Sequence, residues 1–383
     1  MCTQQSGLLF TSTFASPDPD QLAPTNKEGG GTIVATVNDL ETPALLVDLD
    51  SMEGNLLRMA TLLRHTSLKL RPHFKGHQVI AFASRQIQAG AIGITCARLQ
   101  HAEALTCHGI KNILIANEIT GDKMIQRFVE LSVHNSVIVA IDNATVVSEM
   151  ARVAGNRRDQ LNVVVDVDVG LGRCGVPPGE AVLSLAKTVV GTGLRFRGLM
   201  AHRGNLRLPY GHEKHRLVCS AMRALIDSRN LIECAGIPVE IVSSGGTSDW
   251  SIVQEFPGVT EIQAGSYLLM DSWYLPFAEA FRPCLALLAT VISKSPTRIV
   301  VDAGVKAISA QRGLPSIKGI AGLEVKALHA EHTIIDILDS EVRIEVGNKI
   351  EMWVSHSDAT LSLHSQMYGV RRGEVEEVFH IER

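Results

Sequence analysis

Between Leu68 and Ala264 the chain alternates eight short apolar runs with segments of helical period, and no other feature restricts the fold as much. The runs are Leu68–His73, Ile92–Ala97, Asn112–Asn117, Val137–Asp142, Leu161–Asp168, Phe196–His202, Val239–Ser244 and Glu261–Ala264. Most read as near-continuous Val, Ile and Leu, the mark of strands buried on both faces. Between them, Gln78–Gln88, Gln100–Cys107, Lys123–Val133, Thr145–Val153, Gly179–Val189, His212–Ala235 and a short piece near Asp249–Glu255 read as helices. Eight parallel strands covered outside by helices predict a closed (β/α)8 TIM-type barrel over about Leu68–Phe281. A doubly wound Rossmann sheet is the competing topology. Against it, no G-x-G-x-x-G opens a helix after an early strand, and Gly29-Gly30-Gly31 lies ahead of the ordered chain.

Order begins near Glu41-Thr42-Pro43, followed by a strand over Ala44–Leu49. Asp50 or Ser51 then caps a helix with Leu56, Leu57, Met59, Leu62 and Leu63 on one side. Residues 1–40, rich in Ser, Thr, Pro and Gly with no basic residue before Lys27, read as a disordered tail and not as a targeting peptide. Past Pro283 the texture changes to short β-type runs, Leu287–Ser293, Arg298–Asp302, Thr333–Leu338, Glu341–Glu345 and Lys349–Val354. This gives a barrel over 41–282 and a mostly β domain over 283–383, with Ala44–Leu49 free to pair with the second.

A net charge of -4 offers no basic footprint for nucleic acid, and no apolar run is long enough to span a membrane. The seven cysteines are scattered without a CxxC pair, as in a cytoplasmic protein with reduced thiols.

Barrel active sites lie at the carboxyl ends of the strands. Those ends carry Lys75, Arg173, His202, then Ser243-Ser244-Gly245-Gly246-Thr247, then Gly265-Ser266-Tyr267. A lysine past a strand is ordinarily a solvated surface charge, but one held rigidly there can serve as a carbonyl nucleophile. Glycine-rich loops after the last two strands can cradle a phosphate through backbone N–H groups. A lysine, a phosphate cradle and an arginine around one mouth point to pyridoxal phosphate held as a Schiff base.

The same residues carry a resemblance. Arg71-Pro72-His73-Phe74-Lys75-Gly76-His77 resembles the R-P-H-x-K-T-H segment of the D-threonine aldolase and D-serine dehydratase family, pyridoxal-phosphate enzymes of the alanine-racemase fold. Asp166–Val176, Gly198–His202, Glu261–Tyr267 and Val301–Ala307 are similar to further motifs of that family, in chain order from about Thr42 to the end. The resemblance implies Lys75 as the Schiff-base lysine and Arg173 as the partner of the cofactor's phenolic oxygen. It implies Gly245, Gly246, Thr247, Gly265 and Ser266 as the phosphate cradle, with Ser244, Tyr267 and His202 also binding the cofactor. Gln263 stands where alanine racemases place an arginine near the pyridine nitrogen; a neutral partner there makes the ring a weaker electron sink.

In Trp353-Val354-Ser355-His356-Ser357-Asp358, an extended segment would put His356 and Asp358 on one side. By spacing alone H-x-D is common and structurally innocent. Here it matches the family's metal-binding pair, and the hard aspartate oxygen favours Mn²⁺ or Mg²⁺, with Zn²⁺ as the softer option. His329 and His332 resemble the family's E-H element near the active site. Gly76, His202, Ala359 and Ser362 depart from the family's Thr, Tyr, Pro and Asn.

The resemblance implies a lyase: a homodimer that uses pyridoxal phosphate and a divalent metal to cleave a β-hydroxy-D-amino acid, D-threonine-like, to glycine and an aldehyde. The base is His202 or a metal-bound hydroxide. The same parts serve a D-serine or 3-hydroxy-D-aspartate dehydratase that yields a keto acid and ammonia. A non-catalytic pyridoxal-phosphate carrier is the reading from another class, and it has no use for the H-x-D pair.

Overall fold

The computed structural model describes residues 35–204 and 211–383; the tail expected over 1–40 lies, up to Val34, outside the described residues. Strand β1 (Ala44–Asp48) runs straight into helix α1 (Leu49–Leu63). The cap is Asp48, earlier than either residue expected: its Oδ1 accepts from the Ser51 amide at 2.7 Å, so the strand's last residue doubles as the helix start.

The barrel then follows as β2 (Lys69–Leu70), α2 (Ile80–Gln88), β3 (Ile94–Cys96), α3 (Leu99–Cys107), β4 (Ile113–Glu118), α4 (Asp122–His134), β5 (Val137–Ile141) and α5 (Ala144–Ala154). It continues with β6 (Asn162–Asp166), α6 (Glu180–Thr192), β7 (Arg195–Met200), α7 (His212–Cys234), β8 (Ile241–Ser243), α8 (Trp250–Val253) and β9 (Glu261–Ile262). The order in the sheet is β2-β9-β8-β7-β6-β5-β4-β3, parallel throughout. Between β2 and β3 the ring is completed by Ile92 N to Leu70 O and Thr95 N to Pro72 O, both 2.9 Å. Pro72 has no N–H to give, so it takes part only as an acceptor.

The apolar runs are continuous because each strand packs twice. Leu114, Ile138, Ala140, Val164, Met200 and Ile241 fill the inside of the barrel. Their neighbours Ile113, Ile115, Val137, Val139, Val163 and Val165 pack into the layer shared with the helices. The interior also holds an ion pair: Arg71 grips both carboxylate oxygens of Glu261 at 2.8 Å and donates to Asn112 O, tying β2, β9 and the entry to β4 together. A side chain at Gly93 would meet this guanidinium at 2.6 Å, which accounts for the glycine.

The second sheet comprises β1, β10 (Leu285–Ser295), β11 (Arg298–Val301), β12 (Ser316–Ile317), β13 (Leu323–Leu328), β14 (Thr333–Ile337), β15 (Lys349–Trp353), β16 (Gln366–Arg371) and β17 (Glu374–His380), with helix α9 (Ser357–Leu361) after β15. β1 lies in it, antiparallel to β10 and parallel to β16. The strand expected over Glu341–Glu345 does not form. Asp339 Oδ1 accepts the Glu341 amide at 2.9 Å and Asn348 Oδ1 the Glu345 amide at 2.8 Å, so side-chain turns take the hydrogen bonds a ladder would need. Strands β12, β13, β16 and β17 were not expected from sequence; exposed polar residues on their outer faces interrupt the apolar signal.

Candidate active site

A cavity of about 440 Å³ opens at the carboxyl ends of the barrel strands, with Met200 of the inner core as part of its floor. Lys75 enters it from a single 3-10 turn, Phe74–Gly76, after β2. His73 starts that turn, its Nδ1 accepting from the Lys75 amide at 3.3 Å. The turn is locked by backbone contact: a Cβ on Gly76 would lie 2.8 Å from Gly265 C and O, and one on Gly265 would lie 2.6 Å from His73 O. The loops after β2 and β9 therefore approach so closely here that a Cβ at either glycine would force the backbone apart. Lys75 leaves 44% of its side chain exposed.

Arg173 and His202 face Lys75 from the loops after β6 and β7. Asp168 shapes the first loop, its Oδ1 accepting the amides of Gly170, Leu171 and Gly172 at 2.9 to 3.0 Å. His202 is held neutral: burial, then the charges of Lys75 and Arg173, bring its pKa to about 4. Burial and the Lys75 charge likewise hold His73 well below its usual value. Beneath Arg173, Glu118, Asp142 and Cys174 offer ligand atoms within 4.8 Å of one another. Burial and the neighbouring Glu118 charge raise Asp166 beside them to about 7.

The glycine-rich loop after β8 lines the wall with Gly246 and Thr247. Gly245 turns the chain at φ +84°, where glycine is at ease. The Gly246 amide donates to Asp249 Oδ1 at 2.5 Å, and Thr247 Oγ1 accepts from the Tyr267 amide at 2.9 Å. The Gly246 amide thus already holds a carboxyl oxygen. Gln263 on the floor donates to Ser243 Oγ at 2.9 Å, and Ser266 is hydrogen-bonded to the Tyr274 hydroxyl.

The β domain supplies Asp358 and Arg312 to the same cavity. Asp358 Oδ2 is 4.0 Å from Lys75 Nζ. The segment is not extended throughout: His356 caps α9 at φ −147°, ψ 97°, and Asp358 lies in that helix's first turn. Asp358 Oδ1 and His356 Nδ1 are both buried without a hydrogen-bond partner among the described residues, which fits a pair of ligands for one cation. Burial and the nearby Arg312 charge lower the His356 pKa, leaving a neutral imidazole with a lone pair to give.

Other expected residues fall off the cavity wall. Tyr267 is fully buried in the core, its hydroxyl accepting from Gln86 Nε2 at 2.9 Å, so its phenol is not at the cavity. Ser244 and Gly245 lie behind Gly246, with the Ser244 hydroxyl buried and without a hydrogen-bond partner among the described residues. His329 and His332 lie in the exposed turn between β13 and β14, away from the cavity. Residues that sequence reading missed include Asp249, Tyr274 and Arg312, none of which belongs to a recognisable motif.

The alanine racemase N-terminal domain model matches residues 47–272, and the putative serine dehydratase domain model matches 284–370. A D-threonine aldolase from Arthrobacter sp is 34% identical over 351 residues, 89% of this chain and 92% of that protein. The chain belongs to the D-threonine aldolase and D-serine dehydratase family. Another of its relatives is the 3-hydroxy-D-aspartate aldolase of Paracoccus denitrificans (strain Pd 1222), 29% identical over 90% of this chain and 92% of that one. The crystal structure of D-threonine aldolase from Filomicrobium marinum matches with a TM-score of 0.87 at 29% identity, covering 91% of this chain and 96% of that chain. A (β/α)8-type barrel followed by a mostly β domain is thus the family's architecture as well as this chain's.

Proposed function

We propose that this protein is a pyridoxal-phosphate- and divalent-metal-dependent aldolase that cleaves a β-hydroxy-D-amino acid of D-threonine type to glycine and an aldehyde. The observation that carries the reading is Lys75 Nζ standing 4.0 Å from Asp358, with a buried, unpartnered acceptor on Asp358 and another on His356. Pyridoxal phosphate fits the residues present. Lys75 would hold its carbonyl carbon, Arg173 its phenolic oxygen, and Gly246, Thr247, Gly265 and Ser266 its phosphate, with Gln263 towards the ring nitrogen. His356 and Asp358 would hold the cation, the carboxylate favouring Mn²⁺ or Mg²⁺ over Zn²⁺. When bound, the cofactor would supply an electron sink for the carbon left as Cα–Cβ breaks, and the cation a Lewis acid for the β-hydroxyl.

The chain's own groups do the rest. His202, neutral at pH 7, presents a ring lone pair as a hydrogen-bond acceptor for the hydroxyl. The apolar inner core beneath Met200 backs part of the floor of the cavity. A homodimer is part of the same reading, supported by Val305 and Leu314, exposed at 44% and 46% on the β-domain segment that carries Arg312.

A dehydratase is the second reading, favoured by the serine dehydratase model over 284–370. There Lys75 would take the Cα proton, and the hydroxyl would leave. Incubation with D-threonine, D-serine and 3-hydroxy-D-aspartate decides: glycine with an aldehyde supports the aldolase, and a keto acid with ammonia overturns it.

A further inference from the structure

Arg312 lies on the loop between β11 and β12 and reaches the cavity from the β-domain side. Its guanidinium stacks 4.5 Å from the Trp273 ring centroid and 5.6 Å from that of Tyr274. Two aromatic faces fix the fork in place while leaving its edge free. No hydrogen bond or ion pair to a carboxylate holds that edge among the described residues. The nearest candidates are committed elsewhere. Asp271 accepts from Ser357 N at 2.9 Å, Ser357 Oγ at 3.1 Å and Tyr274 N at 3.0 Å, and Asp358 turns towards Lys75. An arginine presents five N–H donors and no acceptor, so a positioned, unpaired one on a cavity wall is built for an anion from outside.

Its place tells which anion. The Arg312 charge acts on His356 and Tyr274, so the guanidinium stands beside the pair that would take the β-hydroxyl. Arg173 faces it from the barrel side of the same cavity. A group at Arg312 is therefore one attached at Cβ, next to the hydroxyl. We propose that Arg312 binds a carboxylate on the substrate side chain, making this site selective for a 3-hydroxy dicarboxylic D-amino acid over D-threonine. The inference rests on the aldolase reading only for the orientation of the substrate.

The test needs no cleavage. D-Aspartate and D-alanine share the amine and α-carboxylate, lack the β-hydroxyl, and differ in the side-chain carboxylate. Each is titrated into holoenzyme and followed by the change in the cofactor's visible spectrum. Wild type should bind D-aspartate roughly tenfold to a hundredfold more tightly than D-alanine. Arg312→Met should bring the ratio near one, and Arg312→Lys, which keeps the charge without the fork, should fall between. Measurable D-alanine binding by Arg312→Met shows that the fold stands; if that variant does not fold, Arg312→Lys alone must still lower the ratio. Equal binding of the two ligands by wild type overturns the proposal. So does a preference that survives in Arg312→Met, or an equal loss for both ligands, the signature of an arginine on the α-carboxylate. A keto acid from 3-hydroxy-D-aspartate would sink the aldolase reading and leave these binding ratios as they are.

Discussion

Lys75 Nζ and Asp358 Oδ2, 4.0 Å apart, join the barrel to the β domain across the cavity. The two groups are exposed by 44% and 28%, so water screens their attraction and the pair contributes little to stability. Its consequence is positional: an amine that can hold a carbonyl carbon is kept beside a carboxylate that can hold a cation.

If Lys75 holds the cofactor, purified protein should show a visible absorption band, and borohydride should fix the label on this residue alone. Peptide mapping reads the outcome. Lys75→Ala should lose the band, and a label on another lysine would refute the assignment.

Asp358→Ala removes the proposed anionic ligand and leaves the Lys75 amine and the loop after β8 in place. The visible band should persist while turnover drops, by about a hundredfold or more if the cation contributes several kcal/mol to the transition state. EDTA should reproduce the loss in wild type, and Mn²⁺ should reverse it. Full activity of Asp358→Ala after exhaustive chelation would take the metal out of the reaction.

The buried pair of Arg71 and Glu261 makes a stability prediction. Glu261→Ala strands the Arg71 charge inside the barrel and should cost about 3–5 kcal/mol. Urea unfolding measures this. Replacing both, as Arg71→Met with Glu261→Leu, should recover most of it; a double variant as weak as the single one would show that the charge was not the cause.

The barrel was legible because each strand packs on two apolar faces, and runs such as Val137–Ile141 carry that in composition alone. The outer strands were not. Glu374–His380 has only Phe379 fully buried, so its alternation is weak and its place is set by pairing with Gln366–Arg371. Lys75, Arg173 and His202 could be found because strand ends are predictable. Arg312 could not: its loop has no period, and only the stacking on Trp273 gives it meaning. The extended segment expected to align His356 with Asp358 does not form, since His356 caps a helix whose first turn carries Asp358.

The proposed homodimer predicts that sedimentation will give twice the monomer mass at assay concentration. Leu314→Lys should weaken it, because a charge would be buried in the interface. A fully active monomer at that concentration would rule the dimer out.

His101 offers a test by pH. Its ring packs edge-on against Phe74, with centroids 5.3 Å apart, and neither nitrogen has a hydrogen-bond partner among the described residues. Burial, then the Arg98 charge, lowers its pKa from 6.5 to about 4. Between those values the unfolded chain binds the proton and the folded chain does not. Stability from this site is complete above pH 6.5 and falls by about 1.4 kcal/mol per unit as pH drops towards 4. His101→Leu removes both the unsatisfied ring and its titration. The variant should be about 1 kcal/mol more stable than wild type at pH 7, through the polar group no longer buried. By pH 5 the gap should be wider by about 2 kcal/mol, since the variant lacks the loss that His101 adds on acidification. Thermal unfolding of both proteins across this range gives the gap directly, and one that stays constant from pH 7 to pH 5 would mean that His101 does not titrate as its burial requires.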